Sequence, residues 1–207
     1  MKRIFTAALL LATLSGCAIY REATSTTSFA SSNWRQVATD GDRDRLRGWH
    51  KAWDEALAAA RTSNATAIAA DPLLFDPDRA LADATIPAAN YRCRVYKLGA
   101  VGSGLSDFAA SEWFDCAVAD EEGNIRFEKL TGAQRPAGSF FADVPSRQVF
   151  LGTLMLGEET APLRYGLDAT RDTAAYLERI APARWRLVFP RPRFESMLDI
   201  IELVPAG

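Results

Sequence analysis

From Tyr91 onward the chain breaks into eight short strand-like runs separated by turn residues, and this punctuation restricts the fold more than any other feature. The runs cover residues 91–98, 113–119, 125–130, 139–142, 148–156, 174–180, 184–189 and 197–204. Alternation is cleanest in the seventh, where Trp185, Leu187 and Phe189 fall on one face and Arg184 and Arg186 on the other. In the third, Ile125 and Phe127 oppose Arg126 and Glu128. One-sided alternation belongs to antiparallel sheet. The connections, among them Glu121-Glu122-Gly123-Asn124 and Arg135-Pro136-Ala137-Gly138, are too short for crossover helices. The expected fold is mainly β (α+β), an antiparallel eight-stranded up-and-down barrel-like meander. Closure of such a meander removes its edges. A two-sheet β-sandwich is the alternative. An eight-stranded barrel is either filled by side chains or holds one small ligand.

Upstream the texture is helical. Thr39 with Asp42 three residues on has the form of a helix N-terminus. Leu46, Trp49, Trp53, Leu57 and Ala60 follow at helical spacing, which predicts an amphipathic helix of about five or six turns preceding the barrel. Two tryptophans on one face imply docking on something large, and the protein's own core is favoured over a partner groove. A second short helix is expected over residues 65–70, before Asp71-Pro72 and Asp76-Pro77 break the chain. Residues 34–87 thus read as a helical segment packing on a β domain over 88–207.

The N-terminus is of another kind. Lys2 and Arg3 precede an uncharged run over residues 4–14, shorter than the ~20 apolar residues that cross a bilayer. That is the build of a secretory signal peptide. Leu14-Ser15-Gly16-Cys17 is similar to the lipobox of bacterial lipoproteins. The resemblance implies removal of residues 1–16 and lipidation of Cys17, with two or more acyl chains giving a lasting membrane anchor. Ala18 after the cysteine is neutral, which favours the outer membrane. Residues 17–33 then form the lipidated cysteine and a Ser/Thr-rich tether.

This address frames the composition. The chain holds 24 basic and 26 acidic residues, a net charge of −2, and loss of Lys2 and Arg3 leaves −4. No basic excess points to nucleic acid. With Cys17 lipidated, Cys93 and Cys116 remain as an even pair in an oxidising compartment, so a disulfide is expected. If they lie opposite each other on antiparallel strands, the midpoint of their connection falls beside Gly102, Ser103 and Gly104, as a turn requires.

Catalytic motifs are scarce. His50 stands alone between Trp49 and Trp53 and has no second ligand for a zinc site. Gly102-Ser103-Gly104 lacks the outer glycines of a nucleophile elbow, and no dinucleotide loop is present. The acid pairs Asp42/Asp44, Glu121/Glu122 and Glu158/Glu159 sit at a helix start or in turns, where carboxylates are usually solvated. No cofactor or metal is expected, and an enzyme is disfavoured. The least bland cluster is Arg179, Arg184, Arg186, Arg191 and Arg193, interleaved with Trp185, Phe189 and Phe194. Arg184, Trp185, Arg186 and Glu195 are the candidate ligand-binding residues, as an anion site. The competing reading is an exposed face whose arginines cover apolar surface and pair with Glu178 and Glu195.

Several segments together resemble a bacterial envelope family known as domain of unknown function 4893. They are Tyr91-Arg92-Cys93-Arg94-Val95, Lys129-Leu130-Thr131-Gly132, Gln134-Arg135-Pro136, Val149-Phe150-Leu151-Gly152-Thr153, Arg184-Trp185-Arg186-Leu187-Val188 and Phe194-Glu195-Ser196. The resemblance runs from about Trp34 to Pro205 and implies a secreted or lipid-anchored envelope protein. It brings no reaction and no site residues. The leading expectation is a non-enzymatic, lipid-anchored periplasmic domain that binds a small molecule or an envelope component. A structural protein of envelope assembly and an enzyme with a concealed Arg/carboxylate site are the rivals.

Overall fold

The computed structural model describes residues 33–207; the signal segment, Cys17 and the tether up to Ser32 lie outside the described residues. Four helices come first: α1 (Trp34–Val37), α2 (Asp40–Arg47), α3 (Trp49–Ala70) and α4 (Pro72–Phe75). Eight strands follow: β1 (Ala89–Ala100), β2 (Phe108–Glu121), β3 (Asn124–Lys129), β4 (Gln134–Val144), β5 (Arg147–Leu156), β6 (Asp172–Ala181), β7 (Arg184–Pro190) and β8 (Ser196–Pro205). Each pairs antiparallel with its sequence neighbour, and β8 returns to β1 to close the barrel.

Alternation sorts the side chains. Tyr91, Cys93, Val95, Phe127, Phe140, Phe150, Trp185, Leu187 and Leu203 point inward and form one cluster. Phe127, Phe140, Phe150 and Phe189 stack there with ring centroids 5.8–6.3 Å apart. Gly138 faces Gly152 across β4 and β5. A Cβ at Gly138 would lie 2.2 Å from the Leu151 carbonyl oxygen and 2.5 Å from the Gly152 Cα, so the close approach of these strands requires glycine.

The outward faces of β4–β8 and β1 are apolar too, because the helices cover them. Trp53, Ala56, Leu57 and Ala60 of α3 pack on Tyr96, Leu98, Val188, Leu198 and Ile200. Trp34 and Leu46 pack on Phe141, Val149, Leu151 and Tyr176. Trp53 is fully buried and donates to the Phe75 carbonyl at 3.3 Å, so the tryptophan face docks on the protein's own barrel.

One end of the barrel is plugged. Ile86 belongs to the interior cluster. Its segment is tied down by Leu81 N–H to the Arg179 carbonyl (2.8 Å), Ala84 N–H to the Pro145 carbonyl (3.1 Å) and Trp185 Nε1 to the Thr85 carbonyl (3.1 Å). The other end, ringed by the loops after β1, β3, β5 and β7, is open to the cavity described below.

Three expectations are corrected. The long helix is broken at Gly48, which caps α2 and starts α3. Arg135-Pro136-Ala137-Gly138 is not a turn but the first half of β4. Pro136 is tolerated because β3 pairs with β4 only over Ala137–Ser139, leaving the proline on an unpaired edge. The cysteines are bonded, with Cα atoms 5.9 Å apart, yet they are not opposite. Cys93 faces Phe114 and Cys116 faces Tyr91, so the bridge runs diagonally inside the barrel. The helix expected over residues 65–70 exists as the last part of α3 beyond a kink at Asn64, whose side chain accepts from the Ala67 N–H at 3.0 Å.

Candidate functional site

Toward the open end the inward positions change character. On β1 the face runs Tyr91, Cys93, Val95 and then Lys97; on β3 Phe127 gives way to Lys129; on β8 Leu203 and Ile201 give way to Asp199. Here the barrel is not filled. A cavity of about 280 Å³ is left above Val95, Phe114, Phe189 and Ile201, walled by Pro136 and Leu154 and rimmed by Arg171, Arg193, Phe194 and Glu195.

Its polar groups are pre-arranged. The Lys97 ammonium lies 3.1 Å from Asp199 Oδ2, 3.2 Å from Glu195 Oε2 and 3.3 Å from Gln134 Oε1, so it ties β1 to β8 and, across the lumen, to β4. Burial pushes the Asp199 carboxyl above the usual range, opposed by the Lys97 charge. Its second oxygen accepts from the Ser196 hydroxyl. Lys129 is only 2% exposed. Its ammonium donates to the Thr131 carbonyl at 2.6 Å and the Gln134 carbonyl at 3.1 Å, and sits 3.6 Å from the Phe114 ring centroid. Burial, aided by the Arg135 and Lys97 charges, lowers its pKa to about 8. The β7–β8 loop that carries Arg193 and Phe194 is flanked by two non-glycine residues in the left-handed region, Arg191 (φ 49°) and Glu195 (φ 70°).

The four residues singled out by sequence are not brought together. Glu195 stands at the cavity rim against Lys97. Trp185 is inside, at the plugged end. Arg184 and Arg186 are on the outer face under the helices. Arg184 bonds Glu202 Oε1 at 2.6 Å and Asp71 Oδ1 at 3.0 Å. Arg186, fully buried, bonds Glu178 at 2.9 Å and the Leu74 carbonyl at 2.7 Å, with its guanidinium 4.6 Å from the Trp53 ring centroid. Arg147 completes that network, 3.1 Å from Glu178. These arginines fasten α3 and α4 to the barrel. Arg179 bonds the Ala82 carbonyl, and Arg191 pairs with Glu55.

The remaining candidates are placed as follows. His50 is half-exposed, 3.7 Å from Asp54 and 3.6 Å from Asp78. Asp42 departs from the expectation of a solvated carboxylate. It is fully buried and accepts from Thr39, Arg45 and the Tyr165 hydroxyl. Glu159 is exposed but bonded by Arg171 and the Leu156 N–H, which hold its pKa near 2. Among the described residues no group of three or more His, Cys, Asp or Glu could hold a metal ion, and no helix is long and apolar enough to cross a membrane.

Sequence reasoning missed Lys97, Lys129, Gln134 and Asp199. A signal for two of them was present: Lys97 and Lys129 continue the phase of apolar positions on their strands, so a charge falls on an inward face.

Comparison with known proteins gives two matches. A family described as a domain of unknown function (DUF4893) matches residues 34–203. The prokaryotic membrane lipoprotein lipid attachment site matches residues 1–18. No curated protein and no solved structure matches the chain.

Proposed function

Because this chain belongs to the DUF4893 family of domains of unknown function, and carries a lipoprotein attachment site, we propose from its own geometry that it is a lipid-anchored, non-enzymatic binding domain. It holds one small, largely apolar molecule in the mouth of its barrel. The neutral Ala18 after the attachment cysteine supports a place on the periplasmic face of the outer membrane. The observation that carries the reading is the contrast within one barrel. The plugged end is packed with aromatic rings, while the open end keeps about 280 Å³ between apolar walls and a few fixed polar groups. That volume is at the small end of ligand sites, and the mix of walls is typical of them. Lys129 uses two of its three ammonium hydrogens on carbonyls. The ammonium also lies over the Phe114 ring, and its positive charge at the cavity wall suits an amphipathic molecule with one polar end.

The test is titration of the mature protein with decanoate and with the dye 1-anilinonaphthalene-8-sulfonate, alongside native mass spectrometry of the protein as purified. Saturable one-site binding is expected, abolished by Leu154→Trp, which fills the cavity. Failure to take up either probe, with no retained adduct, overturns the reading.

A second reading, an enzyme with a concealed acid/base site, is favoured by one observation: Asp199 is a largely buried carboxyl of raised pKa beside the cavity. Against it, Lys97 and Ser196 engage both carboxylate oxygens. An exposed tryptophan face would have favoured a structural role in envelope assembly, and α3 packs Trp53 on the barrel.

A further inference from the structure

Eight large hydrophobic side chains are exposed among the described residues, and six of them, Val101, Leu105, Leu130, Leu163, Leu167 and Phe194, lie in the four loops at the open end. The plugged end has only Val144, and Trp113 lies on the outer wall of β2. Scattered apolar residues on a surface need no explanation, but a concentration at one pole of a barrel does. We infer that the rim of the barrel mouth is a membrane-docking surface, with these six side chains set into the lipid headgroup region of the bilayer that carries the anchor.

The occupant is argued from the chain itself. The attachment site ends at residue 18, so an acylated Cys17 lies in a bilayer leaflet. The described chain begins at Asn33, beside Trp34, whose Nε1 donates to Asp143 near the plugged end. The sixteen steps from Cys17 to Asn33 reach at most about 55 Å. A ten-residue strand such as β5 is about 34 Å long, and less along a tilted barrel axis. The link is therefore long enough for the domain to lie mouth-down on the bilayer that anchors it. Charge adds little, because Arg164 and Arg193 at this end are offset by Glu158 and Asp168. The contact is apolar in origin and insensitive to salt. This inference does not require the cavity to have a ligand, and a dry rim would leave the cavity reading intact.

The experiment uses the full lipidated protein reconstituted in vesicles of phosphatidylethanolamine and phosphatidylglycerol with brominated acyl chains. A polarity-sensitive fluorophore is attached at Leu105→Cys, Leu167→Cys or Val144→Cys in separate preparations. Expected are a blue-shifted, bromine-quenched emission at positions 105 and 167, unchanged at high salt, and water-like emission at 144. A label at Phe194→Cys should return to water-like emission when Leu105, Leu163 and Leu167 are all replaced by Ser, with the circular dichroism unchanged. Water-like emission at both rim positions, or quenching at 144 equal to theirs, overturns the inference.

Discussion

The charged side chains divide into those that fasten and those that face the cavity. Arg186 is the strongest fastener, since it and Glu178 are both fully buried. Arg186→Met leaves a buried carboxylate with only Arg147, and should cost about 3–5 kcal/mol in urea unfolding. Adding Glu178→Leu should restore much of the loss. Lys129 behaves differently. Its pKa falls from 10.5 to about 8 on folding, so between those values the unfolded chain binds the extra proton. Stability should therefore rise with pH across that window, by about 3 kcal/mol from this group alone. The difference between the wild type and Lys129→Met in urea midpoints from pH 7 to 10.5 isolates it from other lysines and tyrosines. Decanoate binding should move the opposite way, weakening as pH rises through about 8, because the cation that meets the carboxylate is lost. The arginine-rich run of β7 is conspicuous in the sequence. Whether an arginine faces ligand or partner depends on what covers the outer face, and α4 lies far from β7 in the chain. Lys97 and Lys129 were less conspicuous, each a single charge in an apolar phase.

At the scale of elements, alternation was legible in β3 because one of its faces packs on the core, and in β7 because Arg184 and Arg186 mark the outer face although the helices cover it. The limits of β4 were not. Pro136 and Gly138 look like turn residues, yet the first is accommodated on an edge and the second opposite another glycine. Gly138→Val puts side-chain atoms where the β5 backbone stands and should destabilise by about 3 kcal/mol or more, read as a lower thermal midpoint. The diagonal bridge between β1 and β2 is a milder test. Replacing Cys93 and Cys116 by Ala should lose about 3 kcal/mol in the chain-entropy account, with the barrel retained by circular dichroism. Residue counting located the hairpin to within a residue but not the two-residue offset, because spacing is silent on which neighbour a side chain leans toward.

For the molecule as a whole, the helical segment and the barrel share two apolar interfaces on the outside of the sheet. They should unfold together, with tryptophan fluorescence and far-ultraviolet circular dichroism tracing one transition. Barrel and meander were inferable from strand count and short connections. The open mouth was not, since filling depends on eight inward faces at once and no single run reveals their sum.

Ring closure also sets the order of folding. Lys97 pairs with Asp199 and Leu98 with Leu198, so the strand pairing that joins the first strand to the last is the most remote within the sheet. Until β8 arrives, β1 and β7 each present a bare hydrogen-bonding edge, and Lys97 lacks both of its carboxylate partners. A chain still lacking β8 is thus a sheet with two open edges, and slow non-local closure prolongs that state. A chaperone that shields open edges would matter more to this protein before its last strand is delivered than at any time after.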